Sequence, residues 1–291
     1  MARGLDHIVH AVHNLDAAVE LYRNLGFQVG VRNRHPPDWG TQNHVIQLPG
    51  FFIELLAVAD TSSIGPHSAR HYSFGAFNRD FLAREQGFSM LVLAGRGAPD
   101  ADQFRKEGIG DFALYDFERE AKRPDGTPVK VAFSLAFASD LGANDIGFFT
   151  CQQHYPENFW NPAFQTHPNS VAGVAGVVVV ADRPERHRNF FESFAGGTAD
   201  IRKESFAITT PRGAIEVTTP AGFLQRFGVK PPDVSGGARL AALRLTVERP
   251  SRLQAVPELA GMAGLYVGNA AVIGSEDAMG AVLVFEPAKA R

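Results

Sequence analysis

Residues 5–27 read LDHIVHAVHNLDAAVELYRNLGF, and this stretch decides the fold class. The apolar run from Leu5 to Val12 is typical of a strand. Asn14 is a favoured N-cap residue, and the apolar residues that follow it recur at helical spacing as far as Gly26, which suits a left-handed helix stop. The stretch therefore predicts a strand followed by one amphipathic helix.

Three further strands are predicted after this helix. They cover Phe27 to Val31, Thr41 to Leu48 and Phe51 to Val58. The last two are joined by the tight turn Pro49-Gly50, which makes their pairing antiparallel. The resulting unit has the order βαβββ.

Similar units begin near Gly87, Val174 and Arg239, so the chain is predicted to hold four βαβββ modules in an α+β fold. The second copy carries a long insertion from Arg119 to Thr127. The fourth has a weakly predicted helix near Pro250 to Leu259. Neither a G-x-G-x-x-G nor a P-loop motif is present, which argues against a nucleotide-binding doubly wound fold.

Composition narrows the function classes. The 291 residues include 28 basic and 31 acidic side chains with a net charge of -3, so neither a nucleic-acid nor a membrane surface is expected. Cys151 is the single cysteine, which excludes an internal disulfide. The N-terminus has no signal-peptide core, and the apolar run from Val171 to Ala181 is too short to span a bilayer. We expect a cytoplasmic protein.

Two side chains in the first module suggest chemistry. His7 lies in the middle of an apolar strand, and alternation places His10 on the opposite face, so only one of them can face a given cavity. Glu54 is the one carboxylate in the strand from Phe51 to Val58. A buried charge costs several kcal/mol unless it is paired, protonated or metal-bound. His7 and Glu54 are thus candidate metal ligands, or else a hydrogen-bonded core histidine and half of an ion pair.

Residues 5–27 together with GFFIELL at 50–56 resemble the opening module of the vicinal oxygen chelate superfamily. This superfamily includes glyoxalase I, methylmalonyl-CoA epimerase, extradiol dioxygenases and fosfomycin-resistance proteins. The resemblance implies paired modules that form cupped, mixed or antiparallel sheets around a divalent metal, with His7 and Glu54 as ligands. It also implies an N-terminal module pair, 1–168, with the candidate active site, and a degenerate C-terminal pair, 169–291.

The resemblance implies two more ligands near Met90 and Cys151, where neither a histidine nor a carboxylate stands. Residues 151–160, CQQHYPENFW, resemble a motif of a bacterial glyoxalase-like branch. Cys151, Gln152 or His154 could replace a missing ligand, and we predict His154 as the third. The plainer alternatives are a turn-capping role for His154 and a small buried hydrophobe at Cys151.

Substrate contacts are predicted for four residues: His44, Cys151, Gln152 and Trp160. His44 shares a strand face with Gln42 and Ile46, so it lines the cup or lies against solvent. The loop around Arg32, His35 and Trp39 could clasp a substrate, although a proline-rich connection is the plainer interpretation.

The second half repeats the architecture with different residues. The predicted counterparts of the ligands are Gly176, Ala242 and Glu216. Glu216 is expected to pair with a local arginine such as Arg202 or Arg212. The last strand, 282–286, has aliphatic residues where a ligand would be needed. Extradiol dioxygenases resemble this four-module chain but keep their iron ligands in the C-terminal pair, so ring cleavage is disfavoured.

Two functions are consistent with these residues. In the first, zinc, nickel, manganese or iron held by His7 and Glu54 polarises a carbonyl or hydroxy-carbonyl substrate, and a lyase or isomerase reaction passes through an enediolate. Glu54, if free of metal, acts as a base with a pKa raised by its apolar strand. In the second, a metal-free cup sequesters a small organic ligand. The protein is expected as a monomer or a homodimer.

Overall fold

The computed structural model describes residues 2–122, 126–252, 256 and 265–288. Eight strands form sheet one, in the spatial order β2 (Asn33–Arg34), β3 (Thr41–Leu48), β4 (Phe51–Val58), β1 (Leu5–Ala11), β5 (Gly87–Ala94), β8 (Gly147–Gln153), β7 (Pro128–Ala138) and β6 (Tyr115–Lys122). Sheet two has the order β10 (Asp200–Ile201), β11 (Ser205–Thr209), β12 (Ala214–Thr218), β9 (Val171–Val180), β13 (Arg239–Val247), β16 (Val282–Pro287), β15 (Ala270–Ile273) and β14 (Leu265–Val267).

Six α-helices accompany the sheets in the described ranges. They are α1 (Leu15–Asn24), α2 (Phe74–Leu82), α3 (Ala98–Lys106), α4 (Pro156–Phe159), α5 (Arg188–Ala195) and α6 (Pro220–Phe227). The predicted α+β fold of four modules in two paired-module sheets is confirmed. The helix predicted near 250–259 lies largely outside the described residues.

Every module closes in the same way. Its first strand pairs in parallel with its last, as β1 does with β4 and β9 with β12. The first strands of the two modules in a sheet pair with each other in antiparallel fashion, β1 with β5 and β9 with β13. The first and last strands of every module therefore lie side by side at the centre of a sheet, where the predicted ligands were placed.

The opening helix forms as its sequence predicts. The Asn14 side chain accepts a hydrogen bond from the backbone of Ala17, and the apolar stripe of α1 is buried. Gly26 has a φ of 79°, a left-handed conformation that a glycine adopts without strain. The chain can thus leave the helix and enter the loop that leads to β2.

One hydrophobic core lies between the sheets. It combines apolar side chains of both sheets with Leu15 of α1, Phe104 of α3 and Phe191 of α5. His10 also faces this core, where its Nε2 lies 3.1 Å from the carbonyl oxygen of Met279 in the second half. The sheet faces that carry α1, α3 and α5 are consequently buried against each other.

The opposite face of each sheet carries its own apolar cluster. We call the face of sheet one with His7, Glu54 and Phe149 the first cup, and it is covered by α2. We call the face of sheet two with Glu216 and Arg244 the second cup, and it is covered by α6. The two cups are therefore equivalent surfaces on the two outer sides of the molecule.

One sequence interpretation changes in the structure. The predicted insertion at Arg119 to Thr127 is in part the end of β6, which runs to Lys122 and pairs with β7; residues 123–125 lie outside the description. The boundary predicted at 168/169 falls between β8 and β9 and stays a prediction. No helix of the described part is long and apolar enough to cross a membrane.

Candidate functional site

The strand register identifies the equivalent positions in the first cup. Glu54 on β4 lies beside Val9, two residues after His7. Cys151 on β8 lies beside Ala94 of β5, so the second-module counterpart of His7 is Val92. The sequence had placed this counterpart at Met90, one alternation too early. Val92 pairs directly with His7 across the centre of the sheet.

The same register operates in the second cup. Glu216 lies beside Val178, which makes Gly176 the counterpart of His7 in the third module. Glu286 lies beside Thr246, so the fourth-module counterpart is Arg244. The alignment that made Ala242 the counterpart of His7 was therefore wrong. The last strand carries the carboxylate Glu286, where only aliphatic residues had been expected.

Glu54 is the centre of the first cup. It is 4% exposed, its Oε1 accepts a hydrogen bond from Asn43 Nδ2 at 2.5 Å, and the same oxygen lies 3.1 Å from His35 Nε2. Burial raises the pKa of Glu54, but His35, His7 and Asn43 together outweigh it, so the pKa lies below its ordinary value. The expectation of a raised pKa was wrong because the apolar sequence of β4 does not show these partners. Glu54 is a carboxylate at neutral pH.

His7 is held in one orientation by acidic and aromatic neighbours. Its Nδ1 lies 2.6 Å from Asp6 Oδ1, and Asp6 Oδ2 accepts a hydrogen bond from Gln153 Nε2 at 3.0 Å. The ring stacks on Phe52 with centroids 4.2 Å apart. With its proton on Nδ1, His7 directs the lone pair of Nε2 toward Glu54 Oε2, 3.9 Å away.

These atoms fit part of a divalent metal site. Within the described residues neither His7 Nε2 nor Glu54 Oε2 has a hydrogen-bond partner, and an imidazole held by a carboxylate is the usual arrangement of a metal ligand. Asn43 Oδ1 is likewise buried without a partner. No group of three or more histidine, cysteine, aspartate or glutamate side chains with metal-site geometry occurs in the described ranges. The chain thus offers two strong donors and one amide oxygen.

A cavity lies over this pair. Its inner part has a volume of about 60 Å³ and is walled largely by aromatic side chains: Trp39, Phe52, Phe74, Phe117, Phe133, Phe149 and Phe159. An outer vestibule of about 380 Å³ shares Asn33, Val45, Arg119 and Phe159 with it. The inner volume corresponds to about two water molecules. A larger ligand must therefore extend into the vestibule.

Two of the predicted substrate residues lie near the cavity. Cys151 lines it, and burial, followed by the negative charges of Asp6 and Glu54, raises the pKa of its thiol. Cys151 is therefore a neutral thiol. Trp160 packs with its ring centroid 5.9 Å from that of Phe52, while its neighbour Phe159 forms the wall itself.

Three other predicted residues lie elsewhere. His154 Nε2 is 2.7 Å from Ser134 Oγ, in a separate surface cleft that Gln152 also lines. His44 faces away from the first cup, and its Nδ1 lies 2.7 Å from the carbonyl oxygen of Gly30. The structure does not bring these side chains together with His7 and Glu54. It brings His35, Asn43 and Arg119 there instead, none of which the sequence singled out as a ligand or anion-binding residue.

The second cup is occupied by its own cation. Arg244 donates to both oxygens of Glu286, at 2.6 and 2.8 Å, and its Nη1 lies 3.7 Å from Glu216 Oε2. Glu216 also pairs with Arg226 of α6. The predicted pairing of Glu216 with a local arginine is confirmed, but the two arginines given as examples were wrong: Arg202 pairs with Asp200, and Arg212 donates to the backbone of Leu5. An open, largely polar cavity of about 980 Å³ lies above.

Comparison with known proteins agrees with this architecture. A family model described as a glyoxalase-like domain matches residues 5–194, so the chain belongs to that family and the resemblance drawn from the first module is confirmed. No curated protein matches the chain.

Solved structures share the fold at low sequence identity. A hypothetical protein from Staphylococcus aureus is 13% identical with a TM-score of 0.65, covering 99% of this chain and 100% of that one. A mutant 4-hydroxymandelate synthase from Streptomyces coelicolor is 11% identical with a TM-score of 0.55, covering 91% and 77%. The 2,2',3-trihydroxybiphenyl 1,2-dioxygenase of Sphingomonas wittichii strain RW1 is 11% identical with a TM-score of 0.51, covering 99% and 91%.

Proposed function

We propose that the first cup is the active site of a glyoxalase-like lyase or isomerase that acts on a small carbonyl or hydroxy-carbonyl compound. One observation carries the proposal: His7 Nε2 and Glu54 Oε2 lie 3.9 Å apart at the floor of an aromatic cavity, and neither has another partner in the described chain. Two such acceptor atoms are stable side by side only when a cation, a proton or a donor group lies between them.

The chain's own residues divide the work around this point. Asp6 fixes the tautomer of His7, while His35 and Asn43 hold Glu54 Oε1, which leaves Oε2 turned to the cavity. Zinc, nickel, manganese or iron held by His7 and Glu54 would polarise a substrate carbonyl oxygen. The largely aromatic wall lowers the polarity around these side chains, which strengthens the electrostatic interactions inside the cavity.

Where Glu54 is not bound to a metal, proton transfer is assigned to it. Its Oε2 is ionised at neutral pH and is the free carboxylate oxygen that can hold a proton from the carbon beside the substrate carbonyl. Because the pKa of Glu54 is lowered, the carboxylate is a weak base, and the substrate C–H has to be acidified by its carbonyl. This requirement points to 2-oxoaldehyde adducts and epimerisable acids as the compounds to screen.

A second function, metal-free binding of a small organic ligand, is supported by one feature of the second module. It supplies Val92 and the neutral thiol of Cys151 at the positions where the first module supplies His7 and Glu54. A cup with ligands from one module alone is a weaker metal site, and an aromatic cavity is suited to sequestration. In both cases we propose a cytoplasmic protein with a small-molecule ligand, acting as a monomer or homodimer.

Exchange of the substrate C–H with solvent deuterium separates the two functions. The protein, loaded in turn with zinc, nickel, manganese and iron, is incubated in D₂O with the candidate compounds, and exchange is followed by proton NMR. We expect exchange that is lost in His7→Ala and kept in the control His13→Ala, whose side chain is exposed next to the same strand. Compounds that bind but never exchange would contradict the lyase or isomerase and favour sequestration.

A further inference from the structure

Arg119 is the one charged residue on the cup-facing side of the edge strand β6. Alternation along this strand turns Tyr115, Phe117 and Ala121 into the apolar cluster of the first cup, whereas Glu118 faces outward and pairs with Lys130. Arg119 stands between Phe117 and Ala121 on the inner face, and it lines both the inner cavity and the vestibule. Its charge is therefore presented to whatever occupies the cup.

The guanidinium of Arg119 has no carboxylate within ion-pair distance among the described residues. Its one hydrogen bond there is a long one, from Nη1 to the backbone oxygen of Glu120 at 3.5 Å. Burial lowers the pKa of Arg119, and the negative charge of Glu54 only partly offsets this. Arginine nevertheless stays charged in proteins, so a half-buried cation faces an aromatic cavity unpaired, an arrangement that costs free energy until an anion arrives.

The surroundings of Arg119 define what that anion can be attached to. The Trp39 ring stacks on Phe74 at 4.1 Å and meets Phe117 at 5.2 Å, which gives the inner cavity flat apolar walls. These rings contact one another and form a continuous apolar wall. A planar aromatic body can pack against this wall if it extends into the vestibule, because the inner cavity holds only about two water molecules. Glu54 at the inner end repels a second negative charge, so the anionic group belongs at the outer end, beside Arg119.

We propose that Arg119 is the specificity-determining residue of the first cup and that it binds the carboxylate of an aromatic acid whose body extends from the inner cavity into the vestibule. This inference rests on the proposed function for its location, because it takes the first cup as the ligand site. It adds a substrate class: a compound with a neutral carbonyl directed to Glu54 and His7, an aromatic middle, and one anionic group at the vestibule. The planar fork of a guanidinium binds a carboxylate through two parallel hydrogen bonds.

Calorimetric titration with 2-naphthoate and 2-naphthamide tests the proposal, because the two compounds have nearly the same shape and differ in charge. We expect the wild-type protein to bind naphthoate at least about 10-fold more tightly than naphthamide, the contribution of a charge-assisted hydrogen bond. Arg119→Gln should remove this preference and leave naphthamide binding unchanged. Arg183→Gln, which changes an exposed arginine paired with Asp182 outside both cups, should keep it.

The Arg119→Lys variant tests whether the loss of preference in Arg119→Gln comes from misfolding. It retains the charge without the fork, so we expect an intermediate preference for naphthoate that weakens as salt concentration rises. Equal affinities in the wild type, a preference that survives in Arg119→Gln, or no binding of either compound at millimolar concentration would overturn the inference. A preference for naphthoate without any deuterium exchange would contradict only the proposed lyase or isomerase activity. Deuterium exchange without a preference for naphthoate would contradict only the proposed role of Arg119.

Discussion

The two cups are built on the same frame and neutralise their central carboxylates in different ways. In the second cup the guanidinium of Arg244 lies between Glu286 and Glu216, so the position is closed by a cation that belongs to the chain. In the first cup Glu54 lies beside the imidazole of His7, whose Nε2 has no hydrogen-bond partner among the described residues. The guanidinium of Arg244 is always charged and neutralises the carboxylates of the second cup, whereas the imidazole of His7 can serve as a metal ligand. The position beside Glu54 therefore stays open to an external partner.

The difference shows that an equivalent strand position in the two cups does not by itself define a functional site. Glu216 and Glu286 occupy the position of Glu54 and carry the same charge, yet their cavity is wide, polar and internally paired. The first cavity is small and largely aromatic, and at its floor lie His7 Nε2 and Glu54 Oε2, which have no hydrogen-bond partner in the described part of the chain. The function of each cup therefore depends on what pairs with its carboxylate. The predictions that follow from this comparison begin with the largest expected change and end with the smallest.

The largest expected effect is on catalysis and separates the two carboxylates. Glu54→Gln should lower kcat/KM for proton exchange by about 1,000-fold, because the amide cannot accept the proton. Glu216→Gln should change it by less than about 2-fold, since its cup has no part in the reaction. The rates are measured by NMR on matched preparations. Equal losses in the two variants would remove the distinction between the cups.

The free energy of unfolding, in contrast to catalysis, should respond to a change in the second cup. Arg244→Met leaves Glu286 and Glu216 without their shared cation, and we expect the free energy of unfolding to fall by about 3 kcal/mol. Arg202→Met breaks an exposed pair with Asp200 and should cost less than about 0.5 kcal/mol. Urea denaturation measures both. A loss of similar size in the two variants would show that Arg244 does not close the second cup.

Acid should weaken the core that joins the two halves. Burial lowers the pKa of His10 from 6.5 to about 4, so below pH 6.5 the unfolded chain takes up a proton that the folded chain refuses. Stability should therefore fall by about 2 kcal/mol between pH 7 and pH 5 through His10. His10→Gln should flatten this slope, whereas the exposed His13→Gln should not. An unchanged slope in His10→Gln would show that another group is responsible.

The smallest expected effect is a gain of zinc binding in the second cup when its central residues are made similar to those of the first. Arg244→His combined with Arg226→Gln removes both internal cations and places an imidazole at the position equivalent to His7, next to Glu216 and Glu286. We expect weak zinc binding, about micromolar, in the second cup. Elemental analysis before and after Arg244→His measures the gain. If the double variant folds and still gains no zinc, internal pairing is not what keeps this cup closed to metal.

The fold and half of the site could be predicted from the sequence, and one further residue was within reach. The turn at Pro49-Gly50 pairs Leu48 with Phe51, which places Val45 opposite Glu54. Alternation from Val45 then turns Asn43 toward Glu54 and His44 away, so Asn43 rather than His44 belonged in the prediction. His7 and Glu54 were predicted because each is a polar side chain in an apolar strand and because the family resemblance implies them as ligands.

Other site residues depend on tertiary structure. His35 reaches Glu54 from a loop, where no periodicity fixes the direction of a side chain. Arg119 was taken for part of an insertion because charged residues dominate its segment, although the alternation of Tyr115 and Phe117 with acidic residues is typical of an edge strand. Arg244 was missed because the modules were aligned at the start of the first strand instead of at Glu286.

The most direct test of the account is a metal titration of three proteins: the wild type, Glu54→Gln and Glu216→Gln, purified without a metal-affinity tag and equilibrated with zinc, nickel, manganese or iron. The account predicts about one ion per chain in the wild type and in Glu216→Gln, and none in Glu54→Gln. An ion that is retained in Glu54→Gln, or lost in Glu216→Gln, would contradict the claim that the first cup alone is the open site.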